Sequence, residues 1–561
     1  MNKTFRLLPL VALTAALAAC GGSDGTNGTN GTNGSNGNNG ATGPAGPQGP
    51  SASLFTPGNL LVSRAVYDPT FTVAGTLPNN SATIAAVTPG TYPNVFTNDA
   101  NDANFGVTSE AYLDQWAPGA TSGTQVMDVT KQAALQRWSF STSFASKSEF
   151  ALNVSLDQRS VAFVGYNTNV DQLDISNSNT PGAIDSTNTD TATPTYRTIG
   201  QLNFADNSLQ FTNTNAYSGN NGRAAVLANG LYYIVGNAGN SGKSPSTAIL
   251  DMLTSITGVQ AIAPNSSCPF TQVIGQLISV SGAATYTPAA CGLGTVTGGA
   301  AKGDDFGFAL QQVAGQSADK TGKDVNLRGL YVGPDGTLYV SKGSGGNGVN
   351  TVYQVGATGA LANGGTIPAN AAITIVPGFP TTPATNLTNL TTPAQVTGTV
   401  YPFAMWIPAS QPNLMFVADE GDGVAGDQVT GSGGLWVYQK QSNGTWKPLT
   451  NITTGLSLGT AYTVTDTAGL YGTKGASYTT TPDGLRQLAG QVNADGSFTI
   501  YATTSTIGNS IANFDAGADA NQLVQINVSV SGSTVTTKGF NVMQTAAFGQ
   551  ALRGVAIVPN Y

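Results

Sequence analysis

Four carboxylates crowd one glycine-rich stretch: in ADEGDGVAGDQ, Asp419, Glu420, Asp422 and Asp427 fall within nine residues. Carboxylate oxygens at this spacing can converge on calcium, which takes about six to eight oxygen ligands and tolerates irregular geometry. The spacing is not that of an EF-hand, so two readings stand, a calcium site and a solvated acidic loop. Asp304-Asp305, Asp515/Asp519 and Asp99/Asp102 read as turn residues. The chain contains no histidine and only three glutamates, Glu110, Glu149 and Glu420. That removes Ser-His-Asp and Cys-His catalysis, histidine-ligated zinc and any histidine pH switch. Besides Cys20, the cysteines are Cys268 and Cys291. In an oxidising compartment they are expected to form one disulfide closing a loop of about two dozen residues. A metal-binding cysteine pair is the alternative, and further soft ligands to complete it are absent from the sequence.

An oxidising compartment is what the N-terminus predicts. Lys3 and Arg6 precede an apolar run from Leu7 to Ala19, interrupted only by Pro9 and Thr14. This is the charged and apolar layout of a signal peptide, too short for a stable membrane span. Leu17-Ala18-Ala19-Cys20 resembles the lipobox of bacterial lipoproteins. The resemblance implies cleavage after residue 19 and a diacylglyceryl group on Cys20. Gly21 is not the aspartate that retains such proteins at the inner membrane, so the implied location is the outer membrane.

From Gly25 to Ser51 glycine recurs every third residue in nine Gly-X-Y triplets, with proline confined to the last three. The period is collagen-like, because only glycine fits the axis of three polyproline-II chains. The Asn-Gly and Thr-Asn content suits flexible coil. A disordered spacer and a trimerising stalk both remain open, and at about 3.1 Å per residue the segment reaches roughly 80 Å.

The remainder, 54–561, is poor in charge: 9% of residues in the chain are charged, against about 25% in ordinary globular proteins. Threonine, asparagine, serine and glycine favour strands and turns over helices. With 21 basic and 29 acidic residues the net charge is −8, which leaves no basic footprint for nucleic acid.

One unit recurs through this region. LRGLYVGPDGTLYVSKGSGGNG (Leu327 to Gly348) reads as strand, Pro-Asp-Gly turn, strand and glycine-rich loop. Related hairpins lie at Glu149 to Asn167, Gly222 to Asn240, Pro402 to Gly423 and Leu485 to Ser505. A sixth copy is split: Ala551 to Tyr561 supplies a first strand and Thr56 to Asp68 a second. Outer hairpins are expected at Gly434 to Ile452 and Asn521 to Phe540. The Leu327 to Gly348 unit resembles the NHL-type and other six-bladed propeller repeats. The implied fold is an all-β, six-bladed β-propeller closed by pairing of its N- and C-terminal strands, which removes exposed sheet edges. Seven blades is the alternative, because Ser246 to Asp304 has room for another. There Ile249, Met252, Leu253 and Ile256 fall at helical spacing, and an inserted short helix pinned by the disulfide also accounts for them. Ser176 to Pro181 and Asn215 to Ala225 are similar to segments of uncharacterised secreted bacterial proteins, a likeness that implies no activity.

In such a ring, the loops that enter the inner strands and leave the second strands meet on one face. Arg223, Arg328, Arg486 and Arg553 stand at or just before the inner strand of four copies. At the end of the second strand stand Arg64, Tyr166, Asn237, Lys342, Asp419 and, approximately, Thr503. Arginines around a mouth suit a carboxylate, phosphate or uronate; arginines repeated in a repeat protein equally serve to join the repeats. The functional expectation is a lipid-anchored surface module binding a glycan, small ligand or protein, with Trp116, Trp406, Trp436 and Trp446 available to stack on sugars. A metal-dependent hydrolase or lactonase using the central channel is the alternative, with Asp419, Glu420, Asn237 and Asp68 as ligand candidates. Assembly of a matrix through trimerised stalks is a third. Replacing Cys20 by Ser is expected to release the protein from the membrane fraction; unchanged fractionation would remove the lipid anchor.

Overall fold

The computed structural model describes residues 53–70, 92–93, 95, 106–186, 188, 193–239, 256–269, 271–274, 277–278, 285–286, 296–297, 307–308, 326–343, 348–369, 371–382, 400–423, 432–508 and 517–561. Cys20, the Gly-X-Y triplets, Cys291, Asp427 and most of the expected helix around Ile249 lie outside them.

Turn chemistry sets the hairpins. Between Ala228 and Leu231, Asn229 and Gly230 both adopt positive φ, 50° and 80°, the primed turn that matches the twist of paired strands. At the Pro-Asp-Gly turn, Asp335 Oδ1 accepts from the Thr337 amide at 3.0 Å and Gly336 takes φ 80°. Successive hairpins stack into four-stranded sheets, which we number as blades from the axis outward. Blade 1 runs Gln550–Ile557, Leu60–Val66, Thr108–Trp116, Thr124–Asp128. Blade 2 is Asn153–Val154, Ser160–Tyr166, Arg197–Asn203, Leu209–Thr214, and blade 3 is Gly222–Ala228, Leu231–Gly236, Gly258–Ile262, Gln272–Ile274. Blade 4 is Leu330–Val332, Leu338–Lys342, Thr351–Val355, Ile373–Ile375. Blade 5 is Pro402–Trp406, Leu414–Asp419, Gly434–Lys440, Trp446–Ile452. Blade 6 is Ser477–Val492, Phe498–Gly508, Gln522–Ser531, Thr534–Thr537, with Tyr462–Thr465 and Asn541–Thr545 added.

The protein is therefore an all-β, six-bladed propeller. Its closure is the split hairpin: Leu60 pairs with Ile557 and Val66 with Gln550, antiparallel. A seventh blade is not present among the described residues. The stretch considered for it supplies the two outer strands of blade 3, Gly258–Ile262 and Gln272–Ile274, and its further strands form only short two-stranded ribbons, Leu277–Ile278 with Gly307–Phe308 and Thr285–Tyr286 with Val296–Thr297.

Six apolar clusters fill the ring, one between each pair of neighbouring blades. Phe163 with Leu61 joins blades 1 and 2, Ile234 with Val164 joins 2 and 3, and Val226 with Val340 joins 3 and 4. Val352 with Met415, Phe416 with Phe498, and Leu523 with Leu552 complete the circuit. Alternate residues of each strand thus face opposite neighbours, so a strand is buried on both sides.

Near the axis, polar ties add to this packing. Ser63 Oγ accepts from the Gly554 amide of its own blade at 2.7 Å and donates to the Phe150 carbonyl at the head of blade 2 at 2.6 Å. Ser341 repeats the relay from Gly329 N at 2.9 Å to Phe403 O of blade 5 at 2.5 Å. Thr503 repeats it from Gln487 N at 3.3 Å to Arg553 O of blade 1 at 3.1 Å. At the other interfaces Asn153 Nδ2 donates to Ala225 O at 3.0 Å, Arg223 Nη1 to Leu327 O at 2.8 Å, and Gly423 N to Asp483 Oδ2 at 3.0 Å. Every blade is tied to the next at its innermost strand or the segment leading into it.

Ser341→Ala leaves the Gly329 amide and Phe403 carbonyl without this partner, and is expected to cost about 1–3 kcal/mol in urea denaturation. Gly329→Ala is expected to cost more, because its Cβ would lie 1.8 Å from Phe403 O. Thr534→Ala, on the exposed edge of blade 6, serves as the neutral control; equal midpoints for all three would refute the role of the relay.

Candidate functional site

The inner strands begin at one face, and there the four aligned arginines are brought together. All are buried, from 3% exposed for Arg223 to 8% for Arg328. Three residues that the repeat alignment passed over complete the layer: Lys147 and Glu149, before blade 2, and Glu420, after the second strand of blade 5. Lys147 Nζ lies 2.9 Å from Glu420 Oε2, an ion pair between blades at opposite sides of a six-membered ring. Arg486 Nε lies 3.7 Å from the same oxygen. Arg328 Nη1 donates to Ser148 Oγ at 2.7 Å. Arg553 Nη2 donates to the Phe144 carbonyl, and Arg223 to Asn221 Oδ1 at 3.1 Å and to Asn326 Oδ1. The layer is a knot of cross-axis bonds.

Burial marks its electrostatics. It pulls Arg553 down to about 9, with Arg486 adding to the effect, and holds Arg223 well below the usual guanidinium range, with Arg328 adding to it. Burial pushes the Glu149 carboxyl up, although Tyr166 donates to it, Ser143 N donates at 2.8 Å and Arg553 is close by. Asp419 is pushed up to about 6 by burial, against bonds from Gly421 N, Tyr401 N and Trp436 Nε1 at 3.0, 3.1 and 2.9 Å.

The remaining aligned residues stand apart from a shared pocket. Arg64 forms a two-pronged pair with Asp114 at 2.6 and 3.0 Å and lies over the Tyr112 ring. Tyr166 is buried and donates to Glu149. Lys342 is buried and donates to Asn350 Oδ1 at 2.9 Å. Asn237 is buried, its amide bonded to Asn221 O at 3.2 Å. Asp68 accepts from the amide and hydroxyl of Thr70 at 2.6 and 2.7 Å. Of the calcium candidates, Asp419 is occupied by the three donors above and Glu420 by the ion pairs, while Asp422 is half-buried. Among the described residues, no group of three acidic or cysteine side chains is placed to hold a metal. Cys268 is disulfide-bonded. Arg197 was not singled out from sequence, yet it is a fully buried hub: it donates to the carbonyls of Ser176, Ser178 and Thr195 at 2.9, 2.9 and 2.8 Å, with Tyr166 against its guanidinium. Its only sequence signal is an arginine opening a strand, RTIGQLN, that carries no other charge.

The open space lies toward the opposite face. A cavity of about 490 Å³ is lined by all six inner strands and by the hairpin turns of blades 2, 4 and 5, from Leu152, Ala224, Leu330, Met405, Leu488 and Val555 outward to Gln158, Pro334, Ala409 and Val492. Those last four are exposed, so the cavity opens among the turns. Ala224, Gly329 and Gln487 line it and directly follow Arg223, Arg328 and Arg486, so its blind end abuts the charged layer. None of the ten aligned residues lines it. Its single ionisable side chain is Tyr331, whose hydroxyl donates to Ile407 O at 3.1 Å and accepts from Ile407 N at 3.2 Å. Trp406 lines it too, stacked on Phe416 at 5.6 Å, whereas Trp116 and Trp446 are buried in the cores and Trp436 donates to Asp419.

No protein-family model and no curated protein matches the chain. Solved structures similar to it include a proposed oxidoreductase (glucose dehydrogenase) from Thermus thermophilus, at 12% identity over 77% of this chain and 92% of that one, with a TM-score of 0.31. An oligogalacturonate lyase in complex with manganese matches at 8% identity over 73% and 84%, TM-score 0.26. The extracellular domain of a proposed one-component system from B. thetaiotaomicron matches at 8% over 74% of this chain and 39% of that one, TM-score 0.25. Likenesses of this size carry no argument about chemistry.

A carboxyl whose folded pKa is raised favours the fold at low pH and loses that advantage as pH rises through the folded value. Wild-type stability is therefore expected to fall relative to Glu149→Gln as pH rises above the ordinary carboxylate range. Parallel melting profiles of the two proteins between pH 4 and about 8 would show that Glu149 does not titrate as its burial requires.

Proposed function

We propose that this chain is an exported, lipid-tethered β-propeller that binds a ligand in its axial cavity and leaves it chemically unchanged. Cys20 anchors it to the outer membrane, and the Gly-X-Y tract sets the ring away from the bilayer. The observation that carries the binding reading is the lining of the cavity. It is formed by backbone, aliphatic and amide groups with the Trp406 indole, the Met405 side chain and the Ser155 hydroxyl, which donates to Asp157 Oδ1 at 2.6 Å, and its one ionisable hydroxyl, that of Tyr331, is committed at both ends to Ile407. General acid–base or nucleophilic catalysis needs a titratable or activated group within reach of the substrate, and the cavity wall supplies none. The carboxylates that would serve a metal-dependent hydrolase in the alternative reading, Asp419 and Glu420, are engaged by protein donors. Small-ligand sites are concave, largely apolar and carry a few placed polar groups, at roughly 300–1,000 Å³, and this cavity matches that description.

The test is to incubate the full-length protein with oligosaccharides and lipid extracts, with and without calcium or manganese, and to recover bound material for mass spectrometry. The expected result is retention at unchanged mass, lost in Val492→Trp, which narrows the opening from an exposed position. Metal-dependent cleavage products would replace this reading with the hydrolase.

A further inference from the structure

We infer that the axial cavity receives a neutral saccharide, one pyranose ring entering from the hairpin face; this rests on the binding reading above and names its ligand class. The first ground is an unspent amide. Gln487 lines the cavity and is 7% exposed, and its side-chain amide has no hydrogen-bond partner among the described residues; only its backbone amide is used, by Thr503. The amide nitrogen and oxygen are not sealed in the core but open to the cavity, where they can meet a ligand's acceptor and donor. Gln491 lies further toward the opening on the same strand, partly buried, and lines the same wall.

The second ground is the backbone. Each inner strand is the end member of its sheet, and the segment Gln487–Val492 pairs only with the strand beyond it. At several inner strands the neighbouring blade already takes carbonyls of that edge, as at Ala225, Leu227, Phe403 and Arg553, whereas along Leu488–Val492 the described residues supply no such partner, so this edge turns a row of donors and acceptors toward the axis. A sugar hydroxyl is both donor and acceptor and meets such a row at any register. Hydrocarbon would leave those groups dry and unbonded.

The third ground is the balance of charge and aromatic surface. No carboxylate, lysine or arginine lines the wall, so a uronate or phosphate would lose hydration without gaining an ion pair. Trp406 lies on the wall with Gly490 beneath its ring: a Cβ there would fall 2.3 Å from the indole. With Phe416 stacked on the same indole at 5.6 Å, the ring meets the cavity as an apolar edge among polar groups.

The experiment uses the lipidated full-length chain in nanodiscs, with empty nanodiscs as blank. Methyl glucoside, methyl galactoside and N-acetylglucosamine are the neutral probes, glucuronate the charged control and N-phenyl-1-naphthylamine the apolar one. Saturation-transfer NMR and tryptophan fluorescence read binding, and thermal melting confirms the fold. At least one neutral pyranoside is expected to bind, with glucuronate weaker by about tenfold or more, and with Gln487→Leu weakening the pyranoside about tenfold. Trp406→Phe is expected to reduce the fluorescence response while preserving the melt; Gln491→Leu, at a partly exposed position, is the second variant should either fail to fold. Equal binding of glucuronate, or pyranoside binding indifferent to Gln487→Leu and Gln491→Leu, overturns the inference. Binding of the naphthylamine alone, blocked by Val492→Trp, overturns the saccharide and leaves the binding reading standing. Loss of all three probe classes overturns both.

Discussion

A closed ring of sheets has to solve one problem at its centre: each inner strand keeps one unpaired edge, and yet six of them must be held at a common axis. In this propeller the solution is a short hydrogen-bond step taken by a side chain. Ser63, Ser341 and Thr503 each accept an amide of their own blade and pass a proton donor to a carbonyl of the next. The inner strands of blades 1 and 6 shift register at that point, which frees the amide for the hydroxyl. Gly329 and Gly554 are small for the same reason, since a Cβ on either would collide with backbone atoms of the following blade. Apolar packing between blades supplies most of the burial, while these ties set how closely the inner strands approach.

That approach decides how the two ends of the channel differ. Where the inner strands begin, long side chains from several blades reach across, and Lys147, Glu420, Arg486, Arg328 and Arg553 bond one another or the loops between them. Removing water from so many charges is costly unless each is met by an opposite charge or a dipole. The layer meets part of that cost with ion pairs, hydroxyls and carbonyls, while among the described residues neither Glu420 carboxylate oxygen accepts a hydrogen bond and the group is held by the charges of Lys147 and Arg486. Where the inner strands end, alanine, glycine and valine leave room, and the channel widens among the turns. Open space and the charged layer thereby fall at opposite ends of the channel.

Much of the ring was legible in the chain. Turn signals between apolar runs, Pro-Asp-Gly in blade 4 and Asn-Gly in blade 3 among them, marked five hairpins, and the unmatched strands at Thr56 to Asp68 and Ala551 to Tyr561 disclosed the sixth. Alignment of these repeats also brought Arg223, Arg328, Arg486 and Arg553 onto one face. What their alignment could not convey is depth: at 3–8% exposed they are bonded inside the channel and none lines the cavity. The second-strand positions fared differently from one another, because Arg64 points to Asp114 while Lys342 and Tyr166 turn into buried bonds. A position in a repeat specifies a place along the strand, and the partner offered by the adjacent blade specifies the contact.

The sequence by itself determined the all-β class, the inner hairpins, complete and split, and the exclusion of histidine chemistry, since these follow from residue type and local periodicity. Tertiary structure alone decided that six blades and not seven close the ring, that Glu420 meets Lys147, and that the usable space lies at the hairpin face. The physical reason is range. Turn preference and strand alternation act between residues a few positions apart, whereas the Lys147–Glu420 pair and the axial cavity join residues hundreds of positions apart, placed together only when Leu60–Val66 takes its position beside Gln550–Ile557 and the circle is complete.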